Sequence, residues 1–321
     1  MRYVVYGAGA VGGVIGGRLA ESGHDVVLIA RGAHCEAIQK YGLEIQSPAG
    51  IVTVKVPAVE HPSEIAFADG DVVILTMKTQ DTDAALNDLR DAAGTRVPVV
   101  CAQNGVENER LAARRFERVY AVPVRLPATH LDPGVVQADS SPVSGILDVG
   151  CYPSGVDDVA VALSGALGAS TFNSRPDPGV MRHKYQKLLM NLANAIGAVC
   201  GPGSEARDLA RRARQEALVC YRAAGIDSAS DEEDRARRGS LITVGRIGDK
   251  PRRGSSTWQS LARGKRSVEV DWLNGEIVLL GRLHGVPTPV NAALQRVANE
   301  MARDGRPPGS MSVGELERAV G

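Results

Sequence analysis

Residues 2–22 read RYVVYGAGAVGGVIGGRLAES: a short β-branched run, then Gly7, Gly9 and Gly12 in GxGxxG spacing, then Gly13, Gly16 and Gly17 inside a helical pattern. Few folds accommodate this. The glycines permit a tight turn and close approach to the backbone, and the helix that starts there offers free N–H groups and positive partial charge to an anion. A glycine-rich turn can also serve packing alone. The preceding strand, the following helix and a second strand at Asp25–Ile29 make a βαβ unit, so the turn reads as a pyrophosphate cradle built from Gly7, Ala8, Gly9, Ala10, Val11 and Gly12.

The alternation continues. Strand patterns recur at Asp71–Thr76, Pro98–Ala102, Val119–Pro123 and Val143–Val149, with a helical pattern at Val156–Leu167. This order implies a mainly parallel sheet covered by helices, a Rossmann dinucleotide-binding domain. The chain has 321 residues, too many for one small core, and residues 173–179 (NSRPDPG) read as a linker. The boundary is therefore placed between residues 173 and 174. From there strand signals fade and helical patterns dominate at Val180–Val199, Ser204–Ala224, Ser267–His284 and Val290–Arg303. The expected architecture is α/β: a Rossmann domain over 1–173 and a mostly α-helical substrate domain over 174–321. The helical half is also where a homodimer contact would fall, which the sequence permits without requiring.

Three positions qualify the cofactor. NAD sites usually carry an acid at the end of the second strand to bind the ribose 2′-hydroxyl, whereas here that place holds Arg31. A guanidinium can grip a 2′-phosphate through paired charged hydrogen bonds, which favours NADP(H), although an exposed loop arginine would look the same. Lys78 and Asn104 follow the strands DVVILT and PVVCA, at the carboxyl ends where ligands bind in such sheets. Lys78 can approach phosphate or ribose, and Asn104 nicotinamide or substrate. A surface lysine and an Asn-Gly turn are equally compatible with the pattern.

Several function classes are disfavoured. Lys plus Arg equals Asp plus Glu at 37 each, so net charge calls for neither a nucleic acid nor an anionic membrane. Arg207, Arg211, Arg212 and Arg214 alternate with Glu205, Asp208 and Glu216, as on a solvated helix face. Five cysteines without CxxC, and histidines without HxxH, suggest buried thiols and no metal site. No signal peptide or membrane-spanning run is read, so a cytoplasmic protein is expected.

Carbonyl reduction leaves an alkoxide that needs a proton and a nearby positive charge. Lys187, Asn191 and Asn194 fall at i, i+4 and i+7 within the apolar LLMNLANAIGAV, on one helical face. A desolvated lysine there has a lowered pKa and can protonate an alkoxide, with the amides holding neighbouring groups. A plain solvated stripe would show the same pattern.

Taken in order, GAGAVGG, Arg31, the MKTQ lysine, the QNG asparagine, the YQKLLMN helix, SVEVDWLNGEIV and HGVPTPVN resemble the ketopantoate reductases across nearly the whole chain. The resemblance implies reduction of a 2-oxo acid to a 2-hydroxy acid with NADPH in an interdomain cleft, ketopantoate to pantoate being the expected case. It makes Lys187 the proton donor, Glu269 its acidic partner on the substrate hydroxyl, and Asn104 and Asn191 substrate-orienting amides. Gly7, Gly9, Gly12, Arg31 and Lys78 become NADPH contacts. Without it, Glu269 at the start of a long helix reads as a helix-dipole partner. Two departures stand out. The second amide of the lysine helix falls at Asn194 where the family has it at the position of Ala195, about 100° away on a continuous helix. The carboxylate-binding serine falls within SSTWQ, where Ser255, Ser256 and Thr257 compete. The rivals are a reductase of a different 2-oxo or β-keto acid, a non-catalytic NADP(H) sensor, and an interaction module built on the helical half.

Overall fold

Strand β1 (Arg2–Tyr6) passes through α1 (Ala10–Glu21) into β2 (Asp25–Ile29), which pairs with β1 in parallel from Arg2 opposite Asp25 to Tyr6 opposite Ile29. These elements belong to a computed structural model that describes residues 1–201, 206–247 and 254–320. After α2 (Ala33–Tyr41), β3 (Leu43–Ser47) and β4 (Gly50–Val54) form an antiparallel hairpin. Then come β5 (Ala58–Val59), β6 (Asp71–Leu75), α3 (Thr79–Ala93), β7 (Val99–Cys101), α4 (Asn108–Ala113) and β8 (Val119–Ala121). Short strands follow: β9 (Ala128–Thr129), β10 (Val135–Ala138), β11 (Ser140–Pro142), β12 (Gly145–Ile146) and β13 (Gly150–Cys151). α5 (Asp158–Ala169) and β14 (Phe172–Asn173) come next.

The main sheet has the order β13-β8-β7-β6-β1-β2-β5, parallel except at β13. Strand order reverses around β1, so the carboxyl ends of β1 and β6 flank a crevice. A second sheet, β4-β3-β10-β9, covers the other side of α1. This explains the glycines beyond the motif. A Cβ on Gly16 would lie 2.4 Å from Leu28 of the main sheet, and one on Gly13 or Gly17 would lie 2.6 Å from Val136 or Ile45 of the second. The single strand expected at Val143–Val149 is instead β12 with an isolated bridge at Val149, because these residues pair with β14 and Pro176 rather than extend the main sheet.

The later elements are α6 (Val180–Asn191), α7 (Asn194–Cys200), α8 (Arg207–Ala223), α9 (Asp231–Arg238), β15 (Ile242–Val244), α10 (Ser256–Ala262), α11 (Asn274–His284), α12 (Pro289–Asp304) and α13 (Val313–Val320). The helix expected over Val180–Val199 is broken at Leu192 and Ala193, where Asn274 Nδ2 donates to the Leu192 carbonyl at 3.2 Å. The helix expected from Ser267 is also divided: Glu269–Trp272 is a separate 3-10 turn ahead of α11. Ser204 and Glu205, at the expected start of α8, lie outside the described residues. Glu216, expected on a solvated face, accepts from the Val290 and Asn291 N–H groups at the start of α12. Ile196, Leu209, Leu261, Leu294, Val297, Met301 and Leu316 form the core that joins α7, α8, α10, α12 and α13.

The chain divides into two compact units, Met1–Gln103 with Glu107–Lys184 and Asp231–Arg252, and Asn104–Val106 with Tyr185–Ser230 and Arg253–Gly321. This differs from a single cut at 173/174, and the cause is buried charge. Arg125 donates to Asp234 through Nε at 3.0 Å and Nη2 at 2.6 Å, while Arg237 grips Asp148 at 2.7 and 2.6 Å. Together with β15, which pairs with β11, these bonds return residues 231–247 to the first unit.

Candidate functional site

The glycine turn is shaped by its neighbours. Gly7 has φ +101°, and a Cβ there would meet the Met77 backbone nitrogen at 2.8 Å. A Cβ on Gly12 would meet Thr76 Oγ1 at 2.3 Å, and that hydroxyl donates to the Gly7 carbonyl at 2.8 Å. Gly9 differs, because a Cβ there would find only the Gly7 carbonyl, 4.0 Å away. Internal packing therefore does not demand glycine at this position, whereas a ligand lying against the turn would. Gly9 is also the N-cap of α1 and supplies no side-chain cap. Ala10 and Val11, half-buried, open the first turn. The cradle thus fits a dinucleotide pyrophosphate.

His34, which carried no signal in the sequence, supports this turn. Its Nδ1 accepts from Gly134 N–H at 2.8 Å, which leaves the proton on Nε2 to be donated to the Ala8 carbonyl at 2.6 Å. Burial, then the His130 ring 4.2 Å away, lower its pKa from 6.5 to about 4, so the neutral ring persists. Arg31 is exposed just past β2, and burial raises the pKa of the Tyr6 hydroxyl against the opposing pull of the Arg31 charge. Glu60 reaches the same corner from the end of β5 and accepts the Gly32 N–H at 2.6 Å. Lys78 is half-buried at the N-cap of α3, in the turn that Gly7 abuts.

Beneath the turns after β6 and β7 lies a polar network that the sequence did not announce. Gln103 Nε2 donates to the Met77 carbonyl at 2.9 Å and to Thr82 Oγ1 at 2.8 Å. Thr82 donates to Asn108, and Asn108 to Thr79. Lys184 Nζ donates to the Gln103 carbonyl at 2.9 Å and forms an ion pair with Glu109. Both charged side chains are buried, and burial raises the Glu109 pKa against the opposing pull of Lys184. The only sequence signal was a cation one helical turn before Lys187.

The remaining predicted residues belong to the helical unit. Asn104 is half-buried, and Gly105, at φ +78°, passes so close to the Glu269–Trp272 turn that a Cβ would meet the Trp272 carbonyl at 3.0 Å. The Asn104 turn and the turn carrying buried Glu269 are therefore adjacent. Because that turn is separate from α11, Glu269 does not cap a long helix. Lys187 is half-buried and Asn191 buried on α6. Asn194 opens α7 beyond the break, so a rotation counted on one continuous helix does not apply to it. Its carbonyl accepts from Ser255 Oγ at 3.1 Å.

Among the described residues of this unit, the buried side-chain atoms without a partner are Asn191 Oδ1, Ser256 Oγ, Gln259 Nε2 and Asn274 Oδ1. All four lie in the YQKLLMN, SSTWQ and LNGE segments. An unsatisfied buried polar atom costs about 1–3 kcal/mol, so these four atoms are candidates to bind a polar ligand. Ser255, by contrast, is the N-cap of α10 and accepts from Trp258 N–H, and Thr257 is buried within the helix.

A doubly wound sheet with a glycine turn at its switch point, followed by a helical unit carrying a lysine, an acid and amides, defines a class of nucleotide-dependent oxidoreductases. The chain belongs to the ketopantoate reductase family. Residues 3–154 match "Ketopantoate reductase PanE/ApbA" and residues 179–302 match its C-terminal counterpart. It is an oxidoreductase acting on a CH–OH group. A 2-dehydropantoate 2-reductase from Pyrococcus horikoshii is 28% identical over 302 residues, covering 92% of this chain and 95% of the relative. A PanE/ApbA family ketopantoate reductase from Ralstonia eutropha JMP134 superposes with TM-score 0.80 at 31% identity, covering 95% of this chain and 100% of that one. The fold is shared with a D-mandelate dehydrogenase solved with NADH and anilino(oxo)acetate, at TM-score 0.80 and 24% identity over 95% of this chain and 99% of that one. Among the described residues no helix is long and apolar enough to cross a membrane.

Proposed function

We propose that the chain reduces a 2-oxo acid to a 2-hydroxy acid with NADPH, and that ketopantoate is the substrate. The observation that carries this reading is the set of unpartnered buried polar atoms confined to the segments of the helical unit that resemble the family's substrate residues. When bound, the reduced nicotinamide supplies hydride to the carbonyl carbon. The chain's own residues manage charge and proton. Negative charge gathers on the carbonyl oxygen, and Lys187 holds the proton which that oxygen takes up. Glu269 accepts from the substrate hydroxyl, and the Asn104 and Asn191 amides orient the acid. Ser256 Oγ, free of the capping duty that occupies Ser255, donates to the carboxylate.

Arg31 favours NADPH, since it is an exposed cation at the end of β2 where an NAD site places an acid. The test is nicotinamide oxidation with ketopantoate and a panel of other 2-oxo acids, each with NADPH and NADH. Efficient turnover of ketopantoate with NADPH is expected, and Arg31→Asp should shift preference toward NADH. Turnover of another oxo acid alone would overturn the substrate assignment, and an unchanged cofactor ratio in Arg31→Asp would overturn the cofactor argument. Lys187→Ala should lower kcat by at least about a hundredfold while still binding NADPH; near-normal turnover would assign the proton to another group.

A further inference from the structure

We infer that the buried Lys184–Glu109 pair is a positioning device for the reaction, holding the turn that presents Asn104 and the helix that presents Lys187. The inference rests on the reading above for the roles of those two residues. Lys184 Nζ donates to the Gln103 carbonyl at 2.9 Å and, more weakly, to the Cys101 carbonyl at 3.5 Å, both at the end of β7. The Gln103 carbonyl belongs to the peptide bond whose nitrogen is that of Asn104, so fixing it fixes the plane from which the Asn104 side chain departs. Glu109, on α4 just past the same turn, supplies the counter-charge. The Gln103 side chain ties the turn in a second direction, through the Met77 carbonyl and Thr82.

The location excludes a direct part in the chemistry. Lys184 is 2% exposed and Glu109 0%, whereas Lys187, one helical turn along α6, is half-buried. A structural contribution alone is also a poor account. Isolated buried ion pairs are often replaced by apolar residues without loss of stability, so energy gives little reason to place a lysine here. What an apolar pair cannot do is donate to the Gln103 carbonyl. A main-chain acceptor next to a ligand-binding amide, held by a lysine on the helix that carries the proton donor, sets two reacting groups from one atom.

The test separates folding from positioning. Lys184→Met leaves Glu109 buried without its partner and is expected to lose stability. Lys184→Met combined with Glu109→Leu removes both charges and should recover most of the melting temperature. In the recovered double variant KM for the 2-oxo acid is expected to rise roughly tenfold or more, as for loss of a charge-assisted hydrogen bond, while KM for NADPH stays within about twofold. Hydrogen exchange of the peptide spanning residues 101–107 should accelerate, with no change in residues 2–12. A folded double variant with wild-type kinetics and wild-type exchange would overturn the inference. If the wild-type protein turns over no 2-oxo acid, the functional reading fails on its own, and the exchange comparison still decides whether the pair holds the turn.

Discussion

Ser255 and Ser256 are adjacent in sequence and opposite in use. Ser255 Oγ accepts from Trp258 N–H and donates to the Asn194 carbonyl, so its hydroxyl is spent on α10 and α7. Ser255→Ala should therefore cost about 0.5–2 kcal/mol in urea unfolding, with little effect on KM. Ser256 Oγ has no partner among the described residues. Ser256→Ala should leave stability unchanged or slightly raised and weaken oxo-acid binding about tenfold, and the opposite assignment of the two effects would exchange their roles. A second residue-scale prediction concerns His34. Its pKa is depressed from 6.5 to about 4 when folded, so the unfolded chain binds the proton first as pH falls. Its contribution is intact above about 6.5 and is lost between about 6.5 and about 4. Denaturation midpoints measured over that window should fall more steeply for wild type than for His34→Gln; parallel profiles would show that His34 is not the responsible group.

At the scale of elements, α9 consists almost wholly of charged residues and still lies against the first unit. The pairs that hold it are unequal. Arg125 and Asp234 are 3% and 6% exposed in their side chains, whereas Arg182 and Glu233 are 38% and 44% exposed. Arg125→Met removes both short hydrogen bonds from a buried carboxylate, leaving it only the Arg238 guanidinium at 3.6 Å, and should destabilise by about 3–5 kcal/mol. Arg182→Ala breaks a solvated pair and should change stability by less than about 1 kcal/mol. Urea unfolding of the two variants checks the contrast, and equal losses would refute it. The sequence DEEDRARR has no apolar stripe to mark its place, because its partners, Arg125 and Asp148, stand more than eighty residues earlier in the chain.

At the scale of the whole chain, the first unit is discontinuous. A fragment ending at residue 173 would leave Arg125 and Asp148 buried without Asp234 and Arg237. It should fail to give a cooperative thermal transition. Residues 1–184 joined to 231–252 through a short Gly/Ser linker should melt cooperatively and bind NADPH, and cooperative folding of the shorter fragment would show that the ion pairs are dispensable.

The βαβ start, the glycine turn between β1 and α1 and the helical second half were readable because each is written in contiguous residues whose period or turn chemistry acts locally. Asn104, Lys187 and Glu269 are proposed through an ordered set of motifs, and what brings the Asn104 turn beside the Glu269 turn is the approach of Gly105 to Trp272, which no local pattern shows. The breaks between α6 and α7 and before α11 escaped a reading by period, since Asn274 binds the freed Leu192 carbonyl from 82 residues further along the chain. The same holds for His34 under the glycine turn, Lys184 on Glu109, and the unequal partners of the Ser255 and Ser256 hydroxyls. Local propensity depends on neighbours in sequence. Which polar atoms find partners depends on groups brought together from distant positions, and burial makes each missing or satisfied partner energetically decisive.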